Sequence, residues 1–214
     1  MPYLVVCGTL YFLCWCFTVG FPSLPEISGH MFFQMIFYEF LYTPIGQAIA
    51  AYAPNEYSAS LVNPLVLGAG LVGFCGVVVP YEQINVFWRY WMYYLDPFTY
   101  LIGGLLGEVL WDAPVKCADN EWTSVDLPNN QTCGSYMESF IETAGGYVRD
   151  VASTTSCHYC QYSVGSEYAP QFNLKAKYYS WRDTGITALF CITTYICVFI
   201  MMKLRSKKTK TASD

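Results

Sequence analysis

The sequence predicts an all-α membrane protein, and three observations support this fold class. Of the 214 residues, 54% are hydrophobic and only 13% are charged, against about 25% charged in ordinary soluble domains. The apolar residues form long runs, as expected of helices whose solvent is lipid. A cluster of basic residues follows the last run. We therefore expect four transmembrane helices, a re-entrant helical segment and a cysteine-containing loop.

The first predicted span covers about residues 3–21. No charged side chain occurs between Met1 and Phe21, and this length crosses a hydrocarbon core of about 30 Å. A signal peptide is the alternative. It is disfavoured because there is no basic n-region and because bulky Phe21 and Pro22 stand where a cleavage site needs small residues.

The second predicted span, about residues 31–53, is apolar apart from Gln34, Glu39 and Gln47. It contains Pro44, which a membrane helix tolerates when neighbouring helices satisfy the freed backbone groups. We expect a kinked span.

The third predicted span, about residues 57–79, carries no charge and contains Asn63-Pro64. Small residues allow membrane helices to approach closely. We therefore expect helix packing along its glycines, which are Gly68, Gly70, Gly73 and Gly76.

The segment 81–106 is rich in Trp and Tyr but is interrupted by Arg89, Asp96 and Pro97. Aromatic residues favour the membrane interface. We predict a re-entrant segment that breaks at Asp96-Pro97, with Arg89 and Asp96 as anchors or an ion pair. A fifth full span is the alternative, and the charges weaken it.

The remaining segments are predicted from charge and length. Residues 107–182 form a polar loop that is long enough to need structure of its own, and residues 183–203 form the last span. Because the tail 204–214 is basic, the positive-inside rule places it in the cytosol. Four spans then put the loop on the outside.

The loop carries an even number of cysteines, whereas the other six lie in apolar runs. Thiols of an exported loop are expected to form disulfides, and four cysteines allow three connectivities. A zinc site that includes Cys157-His158-Tyr159-Cys160 is the less favoured alternative. Asn130 begins an N-x-T glycosylation sequon. The loop cysteines are Cys117, Cys133, Cys157 and Cys160.

Several long motifs carry a family resemblance over nearly the whole chain. They are EFLYTPIGQAIAAYAPNEYSASLVNPL, FCGVVVPYEQINVFWRYWMYYLDPFTYLIGGLL, TCGSYM and CHYCQY, in this order. The chain thereby resembles the fungal pleiotropic drug resistance ABC transporters of the PDR/CDR type, in the G subfamily. The matching part is the last four helices of the second membrane domain, an ABC-2 type exporter domain.

The resemblance implies a portion of an ATP-driven exporter of hydrophobic xenobiotics or lipids in the plasma membrane. No G-x-x-x-x-G-K-[ST] motif occurs, so we expect no catalytic site, cofactor or metal in this chain. ATP and Mg would bind the nucleotide-binding domains of the parent ATPase, of which this chain is expected to be a fragment. The expected partners are membrane lipid, hydrophobic small molecules and the remainder of the transporter, and not nucleic acid.

The resemblance also implies nested disulfides, Cys117 with Cys160 and Cys133 with Cys157. It makes Phe74 and Cys75 candidates for lining the drug cavity, although core packing explains them equally well.

Two polar residues of the spans are further candidates. Glu39 is predicted to act as a hydrogen-bonded helix lock or to contact substrate or a proton, because an intramembrane carboxylate should avoid lipid. The transport mechanism that the resemblance implies, driven by ATP rather than by protons, favours the lock. Asn63 is predicted to support the kink at Pro64.

Two other function classes compete with the exporter. A four-span, tetraspanin-like membrane organiser also has a cysteine-braced outer loop, but its paired-cysteine-glycine motif is missing here. An enzyme with its active site in the loop is disfavoured, because neither His30 nor His158 lies in a catalytic or metal-binding spacing.

Overall fold

The computed structural model describes residues 2–20, 25–128 and 131–211. These residues form two compact units. The helical unit comprises residues 1–108 and 171–214, and the loop unit comprises residues 109–170.

The first two helices of the helical unit are α1 (Pro2–Val19) and α2 (Pro25–Tyr52). Pro44 lies inside α2 without ending it. A short loop leads to α3 (Glu56–Pro64), which begins where the Asn55 side chain accepts a hydrogen bond from the backbone N–H of Ser58 at 2.8 Å. Such a cap satisfies one of the free N–H groups at a helix start.

A π-helix (Leu65–Val72) follows α3 directly. Short 3₁₀, α and π turns then cover residues 81–93 and include α4 (Val86–Trp88). Helix α5 (Pro97–Leu110) begins after Asp96, whose Oδ1 accepts a hydrogen bond from the backbone N–H of Phe98 at 2.9 Å. Asp before a proline at the first helical position is a strong start signal.

Arg89 and Asp96 were predicted to be anchors or an ion pair, and their contacts exclude the ion pair. Asp96 caps α5, whereas Arg89 donates hydrogen bonds to the backbone carbonyls of Glu82 (2.8 Å) and Ile84 (3.0 Å) and lies over the ring of Tyr81. Each charged side chain therefore binds backbone groups near its own position, and Arg89 and Asp96 do not form an ion pair.

The loop unit contains β1 (Thr123–Asp126), α6 (Cys133–Ala144), β2 (Tyr147–Val148), β3 (Ser156–Cys160) and α7 (Gly165–Tyr168). The strands form an antiparallel sheet in the order β1-β3-β2, with Val125 opposite Cys157 and Tyr147 opposite Cys160. The prediction of an all-α chain is wrong here. Strand β3, with the sequence SCHYC, has one face buried and one face exposed. A search for long apolar runs does not detect such a short strand.

The last helix is α8 (Tyr179–Thr211), which returns to the helical unit. The core of that unit joins Leu41 of α2, Cys75 after the π-helix, Phe98 and Leu101 of α5, and Cys191 of α8. The core of the loop unit is smaller and centres on Cys133, Met137, Cys157 and Tyr159.

Two helices of the described residues are long and apolar enough to cross a membrane, within Pro2–Val19 and Tyr179–Ser206. Only 11% and 17% of their apolar windows are buried, whereas a core helix of a soluble protein would be mostly covered. The first and last predicted spans correspond to these two candidates. The predicted spans 31–53 and 57–79 stay predictions, because α2 is more polar and α3 changes into a π-helix at Leu65.

Among the described residues, the predicted packing role of the glycines in the third span is found at Gly76, where an added Cβ atom would lie 3.1 Å from Tyr93 Cε2, and not at the other three. A Cβ atom added at Gly68 would meet nothing within 4 Å, and at Gly70 or Gly73 only the carbonyl of the same helical segment. Helix α5 contains further closely packed glycines. A side chain at Gly104 would overlap Gln34, and one at Gly107 would press on Ser180.

Candidate functional site

An apolar cavity of about 330 Å³ lies in the helical unit. Its wall combines aromatic and aliphatic side chains with a single polar one, and it is formed by α1, α2, the π-helix and α5. Such a lining is typical of sites that bind small apolar ligands. The lining residues are Tyr11, Trp15, Gln34, Met35, Tyr38, Val72, Phe98, Leu101, Ile102 and Leu105.

The polar residue of this cavity, Gln34, belongs to a buried hydrogen-bond network between α2 and α8. Its Nε2 donates to Thr184 Oγ1 at 2.6 Å. His30 Nε2 lies 2.8 Å from the same oxygen, and Thr184 Oγ1 donates to the carbonyl of Ser180 at 2.8 Å. These three side chains are at most 8% exposed. These bonds fix the register of the two helices, because a shift of either helix would break them, while Gln34 Oε1 and His30 Nδ1 have no hydrogen-bond partner among the described residues.

The network extends to α5 through Ser180, whose hydroxyl donates to the carbonyl of Gly104 at 2.7 Å. The close approach of α5 requires glycine at this position, because a Cβ atom would occupy the place of Gln34 Nε2 and lie 3.0 Å from Thr184 Oγ1. The GGLLG sequence of α5 therefore allows three helices to share one buried polar cluster.

The four predicted functional residues of the spans are not among the residues that line this cavity. Glu39 is half-buried on α2 and acts electrostatically on Tyr3 and Tyr38. Within the described part of the chain it forms no hydrogen bond or ion pair. The lock and the substrate-contact hypotheses for Glu39 both stay predictions.

Asn63 is half-buried, and its Oδ1 has no hydrogen-bond partner among the described residues. Phe74 packs against Trp88 with ring centroids 5.8 Å apart. Cys75 is 3% exposed in the helical core, where its thiol donates to the carbonyl of Val72 at 3.1 Å. None of these side chains lines the 330 Å³ cavity, and their roles in transport stay predictions.

The loop unit forms the two nested disulfides, Cys117–Cys160 and Cys133–Cys157. The first joins Cα atoms 6.1 Å apart and the second 5.3 Å apart. Both therefore anchor β3, the central strand, to the segments around it. Asn130 of the predicted sequon lies outside the described residues.

A carboxylate supplements these covalent links. Glu167 accepts hydrogen bonds from the backbone N–H (2.7 Å) and hydroxyl (2.8 Å) of Ser163 and from the backbone N–H of Gly146 (3.3 Å). Burial raises the pKa of Glu167, but these hydrogen bonds stabilise the ionised form more strongly and hold the pKa below its ordinary value. Glu167 thus ties α7 to the segment that follows β3 and to the turn that precedes β2.

Sequence reasoning missed His30, Tyr38, Phe98 and Thr184 as site residues. Gln34 was the available signal, because an amide inside an apolar run must find a partner on another helix. Its partner could not be predicted, since it lies 150 positions away.

Comparison with known proteins places this architecture in a family. The ABC-2 type transporter family matches residues 1–110, slightly more than half of the chain. The chain belongs to the ABC-2 type transporter family. It is therefore an integral membrane protein that contains an ABC-2 membrane domain. This domain has no evident catalytic site.

Relatives of this ABC-2 chain are fungal transporters. It is 64% identical to ABC multidrug transporter G of Aspergillus fumigatus over 99% of its length, which is 16% of that protein. It is 51% identical to ABC multidrug transporter H of the same fungus over 99% of its length and 15% of the relative. The Brefeldin A resistance protein of Schizosaccharomyces pombe is 35% identical over 96% of the chain and 14% of the relative. The ABC-2 chain thus spans about a sixth of the length of these relatives.

Proposed function

We propose that the chain is the transmembrane portion of an ATP-driven exporter of hydrophobic xenobiotics or lipids. The observation that carries this proposal is the apolar, aromatic-lined cavity enclosed by the helices of an ABC-2 domain. The names of its relatives, which are multidrug transporters and a drug resistance protein, support the choice of hydrophobic compounds.

The cavity suits ligands that are recognised by burial rather than by a fixed set of hydrogen bonds. The hydrophobic effect is non-directional and scales with the apolar area that is removed from water. Tyr11, Tyr38 and Phe98 offer flat apolar surfaces to many ring systems, and Gln34 offers a single polar contact. A cavity with this lining is expected to accept many different apolar compounds.

The energy for export would come from other parts of the transporter. ATP and Mg would bind nucleotide-binding domains, which are the proposed partners of this chain, and their closure would move the helices. Lipid is the second proposed partner, because many apolar side chains of α1 and α8 are exposed, such as Phe17 and Phe199.

We further propose a plasma-membrane location, with the loop unit outside the cell and the basic end of α8 in the cytosol. Disulfides persist in oxidising environments, and the positive-inside rule agrees with this orientation. In this orientation Asn130 is available for glycosylation.

A chimera tests the proposal. The segment of ABC multidrug transporter G that aligns with this chain is replaced by the chain, and efflux of a hydrophobic dye is measured in cells that lack their own pumps. We expect efflux above that of the vector control, and its loss when ATP is depleted. A chimera that reaches the surface and hydrolyses ATP but exports nothing would contradict the proposal.

A matched pair of variants tests the cavity itself. Tyr38→Ala removes a lining ring and should change resistance unequally between drugs, whereas Tyr57→Ala removes a ring that is 73% exposed on α3 and should change none. Equal loss for all drugs in Tyr38→Ala would indicate misfolding. Glu39→Gln, Asn63→Ala, Phe74→Ala and Cys75→Ala, measured in the same chimera, test the predicted site residues.

A further inference from the structure

The loop unit has an apolar groove of about 520 Å³ between β1 and α6. Two aromatic side chains of its wall, Tyr136 and Phe140, are 42% and 49% exposed. Exposed apolar side chains that cluster on one surface often mark an interaction site. The residues that line the groove are Thr123, Val125, Tyr136, Met137, Phe140 and Tyr159.

Strand β1 borders this groove and is an edge strand, because the order of the sheet is β1-β3-β2. The backbone N–H of Leu127 donates to the carbonyl of Thr155 at 3.5 Å. Hydrogen-bonded pairs alternate along an antiparallel ladder. Val125 therefore also bonds to β3, whereas Ser124 and Asp126 direct their backbone N–H and C=O groups away from it. Within the described parts of the chain, no group pairs with this outer edge.

The two faces of β1 differ in character. Thr123 and Val125 line the groove together with Tyr159 of β3. Ser124 and Asp126 lie on the opposite face, because successive side chains of a strand alternate, and both are exposed. A strand added beside β1 would thus place every second side chain at the apolar groove and the others beside the carboxylate of Asp126.

The charge of the loop unit favours a basic occupant over a second copy of this chain. Residues 109–170 contain eight Asp or Glu residues and only two Lys or Arg residues. Two such units would repel each other, whereas a basic segment would be attracted. A Lys or Arg side chain opposite Asp126 would also form a favourable cross-strand pair.

We propose that β1 and this groove bind an extended soluble peptide in which apolar and basic residues alternate. The peptide would add a fourth strand to the sheet, with main-chain hydrogen bonds to Ser124 and Asp126 and apolar side chains against Phe140. In the orientation proposed for the chain, the groove is accessible from outside the cell. The inference goes beyond the export of apolar compounds, because this binding needs neither ATP nor transport.

Fluorescence anisotropy with the full chain in phosphatidylcholine nanodiscs tests the proposal. The probe is a labelled peptide in which lysine and valine alternate over about seven residues, the length of a typical strand, and empty nanodiscs correct for binding to lipid. We expect saturable binding of this peptide. We expect none for a peptide with glutamate in place of lysine, or for one whose backbone nitrogens are all methylated. Equal binding of the methylated peptide, or no saturable binding of the probe, would overturn the proposal.

Variants locate the site. Ser124→Pro removes an outward N–H but no bond to β3, and it should weaken binding of the probe about tenfold. Asp126→Asn should weaken binding about threefold. Glu142→Gln removes the same charge at an exposed position of α6 that does not line the groove, and it should leave binding unchanged. If Asp126→Asn equals Glu142→Gln, or if Ser124→Pro binds like wild type, the proposal is wrong.

The chimera with ABC multidrug transporter G identifies the source of the occupant. Binding of the probe to the chimera with an affinity similar to that of the chain alone would support a separate soluble peptide. Loss of binding in a chimera that reaches the cell surface would show that another segment of the transporter covers β1, and it would overturn the proposal.

Discussion

The interactions that stabilise the loop unit differ from those that stabilise the helical unit. In the loop unit, two disulfides, a three-stranded sheet and the carboxylate of Glu167 link short elements around a small apolar core. In the helical unit, long helices leave large apolar side chains exposed and meet at a buried polar cluster around Thr184. In the loop unit, disulfides compensate for a small hydrophobic core. In the helical unit, lipid can cover apolar surface that a soluble protein would have to bury.

The largest expected effect is the loss of a disulfide from the loop unit. We expect the Cys133→Ser/Cys157→Ser variant to lose about 2–5 kcal/mol of loop stability, because the bond restricts the unfolded chain. Both cysteines are fully buried. Limited proteolysis with mass spectrometry should show faster cutting within residues 109–170 and unchanged cutting of the helices.

The matched control is Cys14→Ser/Cys197→Ser, which removes two exposed free thiols from α1 and α8. It should leave proteolysis of both units unchanged. If the two double variants were cut alike, the disulfide would not be what holds the loop unit together.

The second prediction concerns close packing in the helical unit. Gly104→Ala should cost about 1–3 kcal/mol, because Gln34 must move and give up its buried hydrogen bond to Thr184. Gly46→Ala, at a helical glycine with open space around it, should be neutral or slightly stabilising. Melting temperatures of the two variants in detergent check this. Equal melting temperatures would show that α5 does not pack closely in solution.

The comparison also explains which features the sequence could predict. The even number of cysteines in a polar loop predicted disulfides, and hydropathy alone predicted α1 and α8, because both signals are local. The pairing of Cys117 with Cys160 came only from the family resemblance. The sheet was missed, since strands of two to five residues carry too little periodicity to be recognised.

The candidate site was predicted less well than the fold. Gln34 was visible as a polar residue in an apolar run, but its contacts with α5 and α8 depend on how helices pack across long sequence separations. Asp96 shows the same limit on a shorter scale. The sequence left open whether Asp96 is an anchor or forms an ion pair with Arg89, and it did not reveal that Asp96 accepts a local capping hydrogen bond from the backbone N–H of Phe98. Hydropathy describes each helix alone and contains no information about its neighbours.

The third prediction uses pH to separate the two units. Because the pKa of folded Glu167 lies below its ordinary value of 4.5, its contribution to stability is present above pH 4.5 and is lost as the pH falls through the folded pKa. Proteolysis of residues 109–170 should therefore accelerate below pH 4.5. Glu167→Gln should reduce this acceleration, and Glu138→Gln, at an exposed position of α6, should not. An identical pH profile for all three proteins would exclude Glu167 as the cause.

The smallest expected effect tests whether surface charge contributes to the loop unit at all. Arg149 and Asp119 form an ion pair of 3.1 Å, with side chains that are 58% and 91% exposed. Exposed pairs contribute about 0–1 kcal/mol, so Asp119→Asn should change the free energy of unfolding by less than about 0.5 kcal/mol.

Arg149 has a second contact that Asp119 lacks, because its guanidinium lies 5.7 Å from the ring centroid of Trp122. A cation–π contact at an exposed site is worth about 0.5–1 kcal/mol. Arg149→Ala should therefore destabilise the loop unit more than Asp119→Asn, and only the difference between wild type and Asp119→Asn should vanish in 1 M salt. Denaturant unfolding followed by tryptophan fluorescence measures both. If Asp119→Asn had the larger effect, charge pairing would have to be counted with the disulfides and Glu167 among the interactions that stabilise this unit.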